Sequence, residues 1–73
     1  FLFSTRLEID YLNEKYKFNI PVLDDYETLA GFILYNHKSI PAINQKIIIS
    51  QYTFTILKSS GNRLNEVKME VEE

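Results

Sequence analysis

The stretch from Thr28 to Ile47, TLAGFILYNHKSIPAINQKI, constrains the fold of this chain more than any other. Thr28 opens a helix, because its side-chain oxygen can accept a hydrogen bond from a free backbone N–H of the first turn. Leu29, Phe32 and Ile33 follow at helical spacing, so one face is apolar and must pack against something. Gly31 falls inside that helix, where glycine costs about 1 kcal/mol relative to alanine. Its presence there points to close approach by a neighbouring backbone or side chain. The helix, read from about Thr28 to Asn36, fails near Lys38-Ser39. Ile40 precedes Pro41, and a residue before proline is steered away from the α region. Beyond this break, Ile47-Ile48-Ile49 begins a β-rich half.

A chain of 73 residues makes one domain at most, and it buries only ~60% of the surface its unfolded form exposes. The residues from 1 to 71 are read as that single domain, with 72–73 as an acidic tail. The sequence starts Phe1-Leu2-Phe3 without an initiator methionine and reads as an excerpt of a longer protein. Its net charge of -2 argues against a nucleic-acid surface, which calls for a basic stripe. Without cysteine there is neither a disulfide framework nor a thiolate metal site. No apolar run approaches the ~20 residues that span a bilayer, and no signal peptide is visible.

Taken in order, Phe1-Leu2-Phe3 reads as a short strand and Ser4-Thr5 as a turn. A first helix begins near Glu8, with Ile9, Leu12 and Tyr16 on one stripe and Glu8, Asp10, Asn13 and Glu14 facing water. Lys15 and Lys17 suit its negative end. Asn19-Ile20-Pro21 stops it, and Val22 to Tyr26 forms a loop. After the second helix comes an antiparallel meander of Ile47–Ser50, Thr53–Lys58 and Arg63 to about Val71. Its density of β-branched and aromatic residues supports the reading, with Ser59-Ser60-Gly61-Asn62 as a hairpin turn. Tyr52, Phe54 and Ile56 share one face; Thr53, Thr55 and Leu57 share the other. Leu64 breaks parity with Val67, Met69 and Val71, which predicts a bulge near Asn65-Glu66. Glu70, Glu72 and Glu73 are expected to fray into solvent.

With these elements placed, the chain resembles the transporter-associated domain of the CorC/HlyC type, which ends a family of hemolysin-like membrane proteins linked to magnesium and cobalt efflux. Ile9-Asp10-Tyr11-Leu12-Asn13 resembles the family's apolar–acidic–x–Leu–Asn helix, and Thr28-Leu29-Ala30-Gly31-Phe32-Ile33 its Thr-Leu-Ala-Gly string. Ile40-Pro41 before Ile47, then Phe54-x-Ile56, match its strand entry and its Phe-x-Val strand. Gly61, Arg63, Leu64, Val67 and Met69 match its Gly-x-Arg-apolar ending. There are departures. Asn44-Gln45 stands where the family has Gly and an acidic residue, and asparagine tolerates positive φ well enough to keep the turn. Ser50-Gln51 replaces an Asp-Gly-like pair and Ser4-Thr5 a similar one, which implies other turn types or longer loops.

The expected fold is α+β, with two helices on one face of a small, mainly antiparallel sheet that the first strand joins. The resemblance implies similarity to a flavin-dinucleotide-binding domain fold. It also implies a non-catalytic accessory role on the cytoplasmic side of the cell membrane. There the domain would modulate ion transport by contacting the CBS pair and membrane domain of its parent protein, or a second copy in a homodimer. Flavin adenine dinucleotide (FAD) enters by fold analogy alone, which does not establish function. No cofactor is expected in the isolated domain.

Candidate sites remain few. His37, the only histidine, suits a helix C-terminus, and without a nearby His or Cys it assembles neither a metal site nor a catalytic triad. Asp24 and Asp25, with Glu27, form an acidic loop attractive to a divalent cation but without EF-hand spacing. Asp10 and Glu14 could bridge a cation across one helix face, but read better as polar surface. A flavin phosphate wants a glycine-rich helix start, whereas here Glu27 adjoins the cap. Thr28, Leu29, Ala30, Gly31, Pro41, Phe54, Gly61 and Arg63 are therefore read as architectural. Aromatic residues such as Phe18, Tyr26, Phe32, Tyr35 and Tyr52 are core material with some surplus, and a sheet face or edge is left for a partner.

Overall fold

The computed structural model describes residues 1–72. In chain order it contains β1 (Leu2–Ser4), α1 (Ile9–Tyr16), α2 (Leu29–His37), β2 (Lys46–Ile49), β3 (Tyr52–Ser60) and β4 (Arg63–Val71). The strands form one antiparallel sheet in the order β1-β4-β3-β2. The first strand joins the sheet, as expected from the sequence, and the structure places it beside the last.

Alternation along the strands decides which face is covered. Phe3, Ile47, Tyr52, Phe54, Ile56, Val67 and Met69 point inward and are buried with Ile9 and Leu12 of α1 and Leu29, Phe32 and Ile33 of α2. Each such side chain stabilises the fold by roughly 1.5–3 kcal/mol when fully removed from water. Phe32 meets Phe54 edge-on at 6.0 Å between ring centroids, which ties α2 to the middle of the sheet. Phe1, Tyr16 and Phe18 extend this core around Phe3. The opposite face carries Leu2, Lys46, Ile48, Lys68 and Glu70, all exposed. A sheet covered on one side and solvated on the other is a common antiparallel arrangement.

The predicted bulge is present, and it has a counterpart. Ile56 pairs with Val67, Lys58 with Glu66 and Ser59 with Leu64, so Leu57 on β3 and Asn65 on β4 are each one residue extra. The two offsets have opposite sense and cancel, which lets the ladder continue to Ser60 and Arg63. This is why β3 outruns its expected end at Lys58 and consumes Ser59 and Ser60. The hairpin turn shrinks to Gly61 and Asn62, with Gly61 at φ +60. Between β2 and β3, Ser50 and Gln51 connect the paired Ile49 and Tyr52, with Ser50 in the left-handed region at φ 56. Asn44 takes φ 70, as its side chain allows.

Two expectations are corrected. Glu70 does not fray: it pairs with Thr53 inside β4, and the Glu72 N–H donates to the Gln51 carbonyl at 2.7 Å. Glu73 lies outside the described residues. Asn13 does not simply face water either. Its amide donates to the Ile20 carbonyl at 2.9 Å and accepts from the Ile20 N–H at 3.0 Å, clamping the loop after α1.

Candidate functional site

The start of α2 is where the sequence places its most distinctive string, and the structure shows the backbone N–H groups of its first three residues already committed. Thr28 is the N-cap, extended at φ -106 and ψ 166, and its Oγ1 accepts from the Gly31 N–H at 3.2 Å. The Leu29 N–H donates to the Leu7 carbonyl and the Ala30 N–H to the Thr5 carbonyl, each at 2.9 Å. A helix N-terminus attracts anions through just such donors. With these three consumed, and Glu27 beside the cap, the start of α2 is not a phosphate cradle. It is instead a joint that fastens the β1–α1 connection to α2.

Gly31 belongs to the same joint. A Cβ placed on it would lie 2.8 Å from the Tyr26 Cβ, so the close approach inferred from the sequence is real. Tyr26 is buried, donates its hydroxyl to the Pro21 carbonyl and meets Phe32 edge-on. Burial raises the Tyr26 phenol above the ordinary tyrosine range, and Tyr35 and Asp25 add to the effect. Its folded-state pKa therefore exceeds the unfolded one. The stability this contributes is present below an unfolded value of about 10 and is lost as pH rises through the folded value. Thermal midpoints measured above about pH 10 should fall, and by less in Tyr26→Phe.

The other sequence candidates separate. Leu29, Phe54 and Pro41 are buried, and Gly61 makes its turn. Asp24 and Asp25 are both exposed, but only Asp24 joins Glu8, Asp10 and Glu27 around a cavity of about 310 Å³. Among the described residues no three Asp, Glu, His or Cys side chains converge closely enough to hold a metal ion. His37 ends α2, with its Nε2 at 3.4 Å from the Gln45 side-chain nitrogen. Among the described residues it meets neither a carboxylate nor a hydroxyl, so no base–nucleophile pair assembles around it. Arg63 is exposed at the start of β4 and lines two cavities together with Arg6, which the sequence reading did not single out. Thr5 was overlooked as well. It is fully buried, and its Oγ1 donates to the Leu64 carbonyl at 2.7 Å beside the β4 bulge. A threonine that replaces a turn residue was the one available hint.

Among the described residues no helix is long and apolar enough to cross a membrane. The family model CorC_HlyC, described as a transporter associated domain, matches residues 1–73. The chain is 32% identical over 71 residues to Hemolysin C of Brachyspira hyodysenteriae, covering 96% of this chain and 26% of that protein. It therefore spans about a quarter of the length of the relative it matches. A functionally unknown conserved protein from Haemophilus influenzae Rd KW20 shares the fold with a TM-score of 0.88 at 21% identity, over 96% of this chain and 85% of that one. So does the transporter associated domain CorC_HlyC of a Xylella fastidiosa Temecula1 hemolysin, in complex with Mg++ and Mn++, with a TM-score of 0.79 at 21% identity, over 99% and 86%.

Proposed function

Because this chain belongs to the CorC_HlyC family of transporter associated domains, we propose that it is a non-catalytic accessory module of a hemolysin-like membrane protein, modulating magnesium or cobalt transport through protein contacts. The observation that carries this reading is the uncovered sheet face. Leu2 and Ile48, on the two edge strands, are 72% and 73% exposed, while the helices cover only the other side. Exposed apolar side chains on a face bounded by short edge strands suit contact with another protein surface. The partner in this reading is the CBS pair or membrane domain of the parent chain, on the cytoplasmic side, or a second copy of the module. In the full parent protein, Ile48→Glu should alter ion flux while leaving the thermal midpoint of the module within about a degree, since surface substitutions of this kind cost little. Unchanged flux would remove the support.

A ligand-sensing reading rests on a different observation: Asp24 shares a cavity with Glu8, Asp10 and Glu27, and the Xylella relative is described with Mg++ and Mn++. Divalent cations favour converging oxygen ligands, so in this reading the carboxylates would have to draw together around the ion. The flavin alternative gains nothing from α2, whose first-turn donors are spent. Thermal unfolding with Mg²⁺, Mn²⁺, Co²⁺ or FAD separates these readings. A ligand that binds only the folded state at a hundredfold over its Kd adds about 2.7 kcal/mol. In a domain of this size that is a shift of several degrees. A saturable shift with one ligand establishes the sensor; none with any leaves the contact module.

A further inference from the structure

Only two of the basic residues in this chain are arginines, Arg6 and Arg63. Both line the same two adjoining cavities, of about 320 and 500 Å³, at one corner of the sheet, and no lysine does. The corner arises because β1 is much shorter than β4. It stops at Ser4 opposite Glu66, so β4 runs on past its neighbour from Asn65 back to Arg63. Thr5 fills the step, its N–H donating to the Asn65 carbonyl at 3.0 Å and its Oγ1 to the Leu64 carbonyl. Arg6 follows in a turn closed by the Leu7 N–H on the Ser4 carbonyl at 3.3 Å. The carbonyls on either side of it, of Thr5 and Leu7, are the ones that hold α2. The backbone that presents Arg6 is thus fixed on both sides, and Arg63 is fixed by its pairing with Ser60.

The charges at this corner are unspent. Glu66 is the one carboxylate in either lining, and Lys58 engages it at 3.2 Å. Among the described residues neither guanidinium makes an ion pair or a side-chain hydrogen bond. Two arginines left open together in a chain of net charge -2 mark a local reversal of sign.

We propose that this corner binds an acidic peptide segment, with the guanidinium groups of Arg6 and Arg63 on its carboxylates. Arginine presents a planar fork of donors that matches a carboxylate in two parallel hydrogen bonds, which lysine cannot do. A phosphate group is the weaker fit, because phosphate sites draw on backbone N–H groups and those of the nearby α2 start are consumed. Leu2 flanks the arginines in the larger cavity and Ala30 and Leu34 in the smaller, giving apolar surface for the residues between the acids.

The test is a titration of the isotope-labelled 73-residue chain with synthetic hexaglutamate, followed by NMR and calorimetry. Saturable shifts are expected at Arg6, Asn62 and Arg63, with at least tenfold weaker binding in the Arg6→Gln, Arg63→Gln double variant. Both side chains are exposed, so that variant should keep its fold. Lys46→Gln with Lys68→Gln removes the same charge from the open face and should change affinity less than twofold. Absence of saturable binding overturns the proposal, as does equal weakening in both double variants. Displacement of the peptide by inorganic phosphate at equal concentration overturns the carboxylate assignment. Failure here leaves the accessory role intact, since that role is read from ion flux with Ile48→Glu on the far edge strand.

Discussion

Replacing Gly31 with leucine is expected to destabilise this chain by about 1–3 kcal/mol, as forced overpacking of a close-fitted interior does. In a domain of this size each kcal/mol lowers the thermal midpoint by roughly 4–8 °C. The cause is specific. The new Cβ would stand 2.8 Å from the Tyr26 Cβ, an atom that cannot swing away as the end of a long side chain can. Tyr26 is itself held, by its hydroxyl on the Pro21 carbonyl and by the Phe32 ring at 5.4 Å between centroids. Relief therefore requires the whole segment before α2 to move. The Thr28 Oγ1, 3.6 Å from the same Cβ position, brings the helix cap into the disturbance. Alanine gives the sharper comparison, because it recovers about 1 kcal/mol of helix propensity while keeping the bad contact. A midpoint for Gly31→Ala below that of the unaltered chain shows that the contact outweighs propensity. A midpoint for Gly31→Leu equal to it would sink the packing argument.

What could be read in the sequence follows a physical divide. Helix α2 announced itself through a capping threonine and an apolar stripe, and Gly31 through the cost of keeping it in a helix. The meander showed in its alternating pattern, and Leu64 disclosed the β4 bulge because an apolar residue out of phase is conspicuous. The matching bulge at Leu57 was silent, since a half-buried leucine beside Thr53 and Thr55 on the face away from the core breaks no pattern there. Left-handed backbone was legible at Asn44, which tolerates it, but not at Lys17, Lys38 or Ser50, where no side chain advertises it. The joint at the start of α2 left no trace for a different reason. Its acceptors are the carbonyls of Thr5 and Leu7, and any residue supplies a carbonyl. Site geometry was the least accessible. Asp24 and Asp25 are neighbours in sequence, yet only one lines the acidic cavity. Arg6 and Arg63 are remote in sequence, and pairing of β1 with β4 brings them to the same cavities.

Asn13→Ala should cost about 1–3 kcal/mol, the loss expected when partly buried backbone groups are left without partners. Helical periodicity assigns Asn13 to the wet side of α1, but its amide reaches both backbone groups of Ile20, accepting from one and donating to the other. It thereby imitates a neighbouring strand for a residue that has none, and it keeps the Ile20 side chain in the core at 2% exposure. Alanine removes both partners at once, so either the Ile20 N–H and carbonyl stay unpaired or the segment lifts away and takes Ile20 with it. Aspartate dissects the clamp. It keeps an acceptor for the Ile20 N–H but turns a carboxylate oxygen towards the Ile20 carbonyl. Asn13→Asp should accordingly be as damaging as alanine at neutral pH. Its deficit should narrow as pH falls towards an ordinary aspartate pKa of about 4, because the protonated acid regains a donor, and should change no further below it. The clamp also ties this prediction to the first one, because the segment from Ile20 to Tyr26 is what must yield when Gly31 is enlarged. Once Asn13 no longer holds Ile20, that segment gives way more easily, and the double variant Asn13→Ala, Gly31→Leu should lose less than the two single losses combined. Strict additivity would mean that the clamp and the glycine contact act on independent parts of the fold. An Asn13→Ala midpoint equal to that of the unaltered chain would mean that Ile20 is held by its side chain alone.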